Sequence, residues 1–200
     1  MLDSPYVRRV AVSLRLMDLP FTHEAVSVFR HFDRFAGINP VVKAPTLVTD
    51  DGIVLMESTL ILEHAEKLVA PARSLQPAGI AEHARGQRII GLALAACEKA
   101  VQIVYERELR PSDKQHQLWV DRVDGQLAAA LRLLEAELAG RDGWLFGARP
   151  MQPDATAAVA WTFIRHMVPN HLAEGAHPAL AAHTARAEAL DAFAAYPHEG

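Results

Sequence analysis

The stretch from Val42 to Ser58 holds the residues best placed to do chemistry. Ala44-Pro45 stands directly before a short apolar run, and an X–Pro bond adopts the cis form at a cost of only about 0.5–1 kcal/mol. A proline at the entry to a strand leaves the strand interior its N–H donors, so this edge can pair with an extended peptide. Glu57-Ser58 precedes a helical pattern, and free N–H groups at a helix start can hold a carboxylate. The combination suits a small acidic peptide, and the alternative is an ordinary hairpin followed by a capped helix.

A hairpin and a helix are expected to position these residues. Thr46–Val48 and Ile53–Leu55 are β-branched apolar runs, and Asp50–Gly52 between them is a strong hairpin signal because Gly52 can take φ > 0. Thr59–Lys67 then follows helical spacing, which makes Ser58 the expected N-cap.

The chain before this stretch predicts a helix, a strand and a short helix. Ser4-Pro5 is a helix-start signal, with serine as N-cap and proline at the first helical position. Thr22–Val26 is the expected strand, and Arg30–Ile38 has weak helical character before the Asn39-Pro40 turn. Residues 1–68 therefore form a mixed α/β domain.

The chain after residue 68 changes character. Residues 69–80 hold two prolines and a glycine without periodicity, which is typical of a linker. Helical spacing then predicts an all-helical bundle over residues 81–200. The expected helices are, in chain order, 81–107, 113–139, 154–168 and 177–195, the last with a break near Asp191.

Composition excludes several classes of protein. Half of the 200 residues are hydrophobic, so the chain can bury a sizeable core, and its net charge of −4 argues against nucleic-acid binding. No apolar run approaches the roughly 18 residues that span a bilayer, and the first residues lack the order of a signal peptide. Cys97 is the single cysteine, expected to be a small buried hydrophobe, and its lack of a disulfide partner fits a reducing cytoplasm.

The order and spacing of these motifs resemble the cytosolic glutathione transferase family, of the serine or cysteine type, over nearly the whole chain. The matching pieces are Ser4–Val10 (SPYVRRV), Asn39-Pro40, Lys43–Pro45, Glu57-Ser58 and the order of helices after residue 80. The resemblance implies an α/β thioredoxin-like N-terminal domain that binds glutathione and an all-α helical-bundle C-terminal domain.

The resemblance also implies a role for each residue of the motifs. Ala44, before the family's cis-proline at Pro45, would pair its backbone with the cysteinyl unit of glutathione. Glu57 would meet the γ-glutamyl ammonium, and Ser58 would hold the γ-glutamyl carboxylate. Lys43 would lie near the glycine carboxylate, although a solvated turn residue is an equal alternative.

Ser4 occupies the place where the family carries the residue that faces the glutathione sulfur. A thiol with a pKa of about 8.5 is mostly protonated at neutral pH, so a hydroxyl donor at a helix start would favour the thiolate. The alternative is that the Ser4 oxygen only caps the helix, accepting from the N–H of Tyr6 or Val7.

The expected activity is a glutathione transferase whose thiolate attacks an unknown electrophile, in a cytoplasmic homodimer with glutathione as co-substrate and no metal. Tyr105, Trp119 and His166 are candidates for a second-substrate pocket, although aromatic residues at helical spacing are more often core. The alternatives are a glutathione-dependent isomerase, a thiol–disulfide reductase, disfavoured by serine at position 4, and a non-catalytic binding or interaction module on the same fold.

Two departures from the family pattern bear on these expectations. Only three residues precede Ser4, where the family has a central strand, so the expected strand is stunted or the true start lies upstream. Met151 stands where the family has serine or threonine before Asp154, so the cap of that helix is expected to pass to Gln152 or to Asp154 itself.

Overall fold

The computed structural model describes residues 1–199, and its contacts divide the chain into two compact units. The first unit contains residues 1–75 together with the segment that begins at Leu190. The second contains residues 76–189. Two features differ from the boundaries expected from the sequence: residues 69–75 of the expected linker join the first unit, and so does the C-terminal segment.

Three helices of the first unit follow the sequence signals. Helix α1 (Pro5–Leu16) starts where Ser4 caps it, α2 is Phe32–Ile38, and α3 is Ser58–Leu68. Helices α1 and α3 bury their apolar faces against each other. The core of the unit consists of Val10, Leu14, Met17, Ile61, Leu62, Ala65 and Leu75.

The predicted hairpin is confirmed. Strand β1 (Thr46–Val48) pairs antiparallel with β2 (Val54–Met56), with Leu47 opposite Leu55. Both of these leucines pack on the core. Gly52 has a φ of 80° in the turn, as the hairpin signal requires. The second strand begins one residue later than predicted.

The strand predicted at Thr22–Val26 is wrong. The structure gives this segment no strand, and no strand precedes Ser4 either. A strand needs a neighbour to pair with, and among residues 1–199 the only ladder is the one between β1 and β2. The segment Thr22–Val26 therefore has no strand to pair with, although Val26 is buried.

The C-terminal segment packs on α1. Its short helix α8 (Asp191–Ala194) places Phe193 in the core, where the guanidinium of Arg8 lies 5.5 Å from the ring centroid. Arg8 Nε also donates to the carbonyl of Tyr196 at 2.8 Å. Tyr196 in turn stacks on Phe21, with ring centroids 5.3 Å apart. Arg8 is thus a buried anchor for the end of the chain.

The second unit is helical, as predicted. Helix α4 (Ile80–Val104) continues into a π-helical turn at Tyr105–Leu109 and packs on α5 (Gln117–Leu138) and α6 (Gln152–Met167). Helix α7 is Pro178–Glu188, and the expected break before Asp191 is confirmed. None of the helices among the described residues has the length and apolarity to cross a membrane.

The cap of α6 follows one of the two expected routes. Asp154 Oδ2 accepts the N–H of Met151 at 2.9 Å, so the carboxylate of the helix's first turn takes over the capping. Cys97 lies buried in α4, as predicted.

Candidate ligand-binding site

The start of α3 combines a carboxylate with an open helix N-terminus. Glu57 is the N-cap, and its Oε2 accepts the N–H of Thr59 at 3.1 Å. Its φ of 74° is rare for a residue with a side chain, and such backbone strain is concentrated at ligand sites. The backbone N–H of the buried Ser58 has no hydrogen-bond partner among residues 1–199.

The prediction that Ser58 caps this helix is therefore wrong. Ser58 is already the first helical residue, and Glu57 precedes it as the cap. The longer glutamate side chain reaches forward to the N–H of Thr59, whereas the hydroxyl of Ser58 is used elsewhere.

Arg9 is the functional candidate that sequence reasoning missed. It is only 2% exposed, and its Nη1 donates to Ser58 Oγ at 2.9 Å and to Thr59 Oγ1 at 3.2 Å. A cation from α1 thus lies directly behind the first two residues of α3. The available signal was the pair Arg8-Arg9 inside an otherwise largely apolar helix, because two adjacent arginines that both become buried need separate polar partners.

The loop before Pro45 is organised by Asn39. This buried side chain donates from Nδ2 to Thr46 Oγ1 at 2.9 Å and accepts the N–H of Val41 at 3.0 Å. Thr46 Oγ1 donates to the carbonyl of Lys43 at 2.7 Å. These bonds fix the chain from the Asn39-Pro40 turn to the first strand, and Val42 between them takes a φ of 51°.

Ala44-Pro45 is the cis peptide that the sequence suggested. Pro45 is buried and Ala44 is partly exposed, and the backbone of Ala44 makes no hydrogen bond to any residue of 1–199. Ala44 therefore offers one donor and one acceptor to an extended ligand. Lys43 beside it is exposed, with its charge in solvent.

Ser4 caps α1 and keeps its proton available. Its Oγ accepts the N–H of Val7 at 3.4 Å, as the capping alternative predicted. The hydroxyl proton has no acceptor among residues 1–199, so the same oxygen can still donate to a ligand. Ser4 stands five residues before Arg9, roughly 7–8 Å along the axis of α1. The role of Ser4 towards sulfur stays a prediction.

The three pocket candidates of the helical unit are not core residues. Tyr105 and Trp119 are 48% and 42% exposed, and His166 is also exposed. Each lies on a different element: the π-helical turn, the first turn of α5 and the last turn of α6. Their assignment to a substrate pocket stays a prediction. Among residues 1–199, the structure groups no His, Cys, Asp and Glu side chains in a way that suits a metal ion.

Together, the small sheet, the helices that flank it and the helical second unit define a class of protein: a thioredoxin-like domain followed by a helical domain. Residues 1–73 match the family model described as the glutathione S-transferase N-terminal domain, and residues 117–186 match the model of its C-terminal domain. The chain belongs to the glutathione S-transferase family. The predicted family and fold class are thus confirmed.

Solved structures of relatives cover nearly the whole chain. A glutathione S-transferase from Methylobacterium radiotolerans, in complex with glutathione sulfonate, is 27% identical, with 99% of this chain and 92% of that one covered and a TM-score of 0.85. A glutathione transferase family member from Pseudomonas fluorescens is 24% identical, with 100% and 97% covered and a TM-score of 0.82, and shares the fold.

One curated relative is an isomerase. The maleylacetoacetate isomerase of Pseudomonas aeruginosa is 26% identical over an alignment of 155 residues, and the match covers 71% of this chain and 68% of that protein.

Proposed function

We propose that this protein binds glutathione in its first unit and delivers the thiolate to an electrophilic carbon of a small substrate. The observation that carries the proposal is the start of α3, where a carboxylate and a cation-backed helix N-terminus stand side by side. Glu57 supplies the negative group, and Ser58, with Arg9 behind it, supplies the positive environment.

The γ-glutamyl end of glutathione is complementary to this arrangement. It carries an ammonium and a carboxylate on one carbon, so it needs an anion and an anion-binding site a few ångströms apart. Glu57 would take the ammonium. The free N–H of Ser58, at the positive end of the helix dipole, and the Ser58 hydroxyl would together take the carboxylate.

The remaining contacts extend along the same unit. The unpaired N–H and carbonyl of Ala44 would bond the cysteinyl backbone as an added strand does, and Lys43 would meet the glycine carboxylate in solvent. Ser4 would then donate to the sulfur. A charge-assisted hydrogen bond at a helix start stabilises the thiolate, which is the nucleophile of the reaction.

The second candidate is glutathione-dependent isomerisation, favoured by the maleylacetoacetate isomerase relative. Reversible addition of a thiolate to a conjugated double bond turns it into a single bond that can rotate. Elimination of the thiolate then restores the double bond in the other geometry and returns glutathione unchanged. Glutathione is consumed one for one in conjugation, whereas isomerisation leaves its amount constant, so an assay of glutathione against product separates the two reactions.

Calorimetric titration with glutathione tests the proposal. The wild-type chain should bind glutathione, and Ser58→Ala should weaken binding by about tenfold, because a hydroxyl bond to a charged group is lost. Ser112→Ala, which removes an exposed serine of the second unit, is the matched control and should bind as the wild type does. Absence of binding at millimolar glutathione contradicts the proposal.

Turnover separates an enzyme from a binding module on the same fold. An enzyme should consume or isomerise one of a panel of electrophiles and conjugated diacids, whereas binding without turnover on any of them favours the non-catalytic alternative. The second substrate is proposed to contact Tyr105, Trp119 and His166. The proposed homodimer in the cytoplasm is checked by light scattering and by cell fractionation.

A further inference from the structure

We infer that Arg9 is a positioning residue that turns Ser58 into an obligate donor towards the γ-glutamyl carboxylate. This inference rests on the proposed glutathione site. It assigns a role to a side chain that contacts no ligand itself, and it starts from one fact: the guanidinium of Arg9 donates to the Ser58 hydroxyl at 2.9 Å.

A serine hydroxyl has one proton and two lone pairs, so its direction is open until a neighbour fixes it. Arg9 has only N–H groups to offer, and the bond from its Nη1 therefore occupies a lone pair of Ser58 Oγ. The proton of Ser58 must then point away from the guanidinium. In the structure its acceptor is Glu57 Oε1, at a long 3.4 Å. A carboxylate at the free N–H of Ser58 is a better acceptor for this proton.

The charge of Arg9 strengthens the same bond. A hydroxyl that accepts from a cation becomes a stronger donor, because successive hydrogen bonds polarise one another. Arg9 is almost fully buried, so solvent screens its charge weakly. Two successive hydrogen bonds, from Arg9 to Ser58 and from Ser58 to the carboxylate, thus let the buried positive charge stabilise the ligand without a direct salt bridge.

The second bond of Arg9 explains why arginine suits the position. Nη1 also donates to Thr59 Oγ1 at 3.2 Å, so one group holds the hydroxyls of two consecutive residues in the first turn of α3. The flat guanidinium holds its donors in a fixed plane, whereas a lysine ammonium is a compact donor on a flexible stem. Lysine at position 9 should therefore retain the charge and lose part of the alignment.

The test compares two ligands. One is glutathione, and the other is the same tripeptide with 4-aminobutyryl in place of γ-glutamyl, which lacks only the carboxylate in question. Arg9→Met should weaken glutathione binding by about tenfold and change analogue binding by less than about twofold. Arg9→Lys keeps the buried charge, so it should keep the fold even if methionine disturbs it. Its affinity for glutathione should lie between those of the wild type and Arg9→Met.

Arg8→Met is the matched control, because Arg8 lies next to Arg9, is equally buried and bonds the C-terminal segment. It should lower thermal stability and leave the ratio of the two ligand affinities unchanged. A purely structural Arg9 would behave in the same way. An unchanged ratio in both Arg9 variants therefore overturns the inference.

A double-mutant cycle gives the second measurement. If Arg9 acts through Ser58, then Ser58→Ala should cost about tenfold in glutathione affinity in the wild type and less than about twofold in Arg9→Met. Equal losses in both backgrounds contradict the inference. Failure of the wild-type chain to bind glutathione removes the proposed function itself and this inference with it, whereas wild-type binding with additive losses removes only the role of Arg9.

Discussion

Asp154 Oδ1 accepts the backbone N–H of Leu145 at 2.9 Å, across nine residues of the chain. The other oxygen of the same carboxylate accepts the N–H of Met151. Asp154 is fully buried, and burial raises its pKa, against the two N–H donors that favour the anion. One side chain therefore both caps α6 and holds the loop that brings Leu145 into the core.

Asp154→Asn should destabilise the second unit by about 2–3 kcal/mol, because an amide group has one acceptor oxygen and leaves one buried N–H unpaired. Urea denaturation followed by circular dichroism measures the change. Asp142→Asn, at an exposed position of the same loop, is the control and should stay within about 0.5 kcal/mol of the wild type. A similar stability for both variants would show that Asp154 does not hold the loop.

We expect His183 to make the stability of the second unit depend on pH. It is buried with its Nε2 3.3 Å from the carbonyl of Asp154, and its ring lies edge-on to Trp144. Burial lowers the pKa of His183, which the Asp154 carboxylate opposes and Arg186 reinforces. The unfolded chain then binds the proton more readily, so the stability contributed by the neutral ring is present above about pH 6.5 and is lost as pH falls.

We therefore expect the free energy of unfolding to decrease between about pH 7 and 5, and His183→Gln to reduce the slope. His177 and His23, whose pKa values burial also lowers, should account for part of what remains, whereas the raised pKa of Asp154 opposes the decrease because protonation of its carboxyl favours the folded state. His83→Gln, a partly exposed position on α4, should keep the wild-type slope. Urea titrations at a series of pH values measure it. A slope that is the same in His183→Gln and the wild type would refute this assignment.

Local signals predicted most of the fold. Ser4-Pro5 determined the start of α1, Asp50–Gly52 determined the hairpin, and apolar spacing predicted the long helices within a few residues. The strand at Thr22–Val26 failed because strand formation depends on a partner elsewhere in the chain, which alternation alone does not show. The C-terminal segment was misplaced for a similar reason, since its docking depends on Arg8, Phe193 and Tyr196 meeting across the sequence.

The parts of the candidate site that are formed by residues adjacent in sequence could be predicted. Ala44-Pro45 and Glu57-Ser58 lie in short motifs. In the structure, Ala44 has an unpaired backbone, and Glu57-Ser58 form the open start of α3. Arg9 escaped prediction because its partners lie about fifty residues away and its burial is a property of packing. The capping role of Glu57 was not predicted, because a glutamate at positive φ is unfavourable in isolation and only the surrounding structure enforces that conformation.

Val42→Gly should stabilise the protein. Val42 has a φ of 51°, where a β-branched side chain is strained by about 1–2 kcal/mol and glycine is not. Glycine adds entropy to the unfolded chain, so a net gain of about 1 kcal/mol is expected in thermal or urea denaturation. Val41→Gly, at the neighbouring exposed position without a positive φ, should give no gain. Equal effects at both positions would show that Val42 is not strained.

Ser4 has two predicted roles that two substitutions can separate. As N-cap it bonds the N–H of Val7, and alanine at this position should cost about 1 kcal/mol of stability, whereas glycine should cost only a few tenths. The hydrogen bond from Ser4 to the sulfur would be lost equally in both variants, because both remove the hydroxyl.

Ser4→Gly is therefore the sharper probe of catalysis, because it removes the hydroxyl and largely spares the helix. We expect it to leave glutathione binding within about threefold of the wild type and to raise the pKa of the bound thiol towards the free value of about 8.5. Ultraviolet titration of the thiolate in the complex measures that pKa, and turnover at neutral pH should fall with it. Ser4→Ala should show the same thiol pKa and a lower melting temperature. A thiol pKa that stays at the wild-type value in Ser4→Gly would leave Ser4 as a helix cap only.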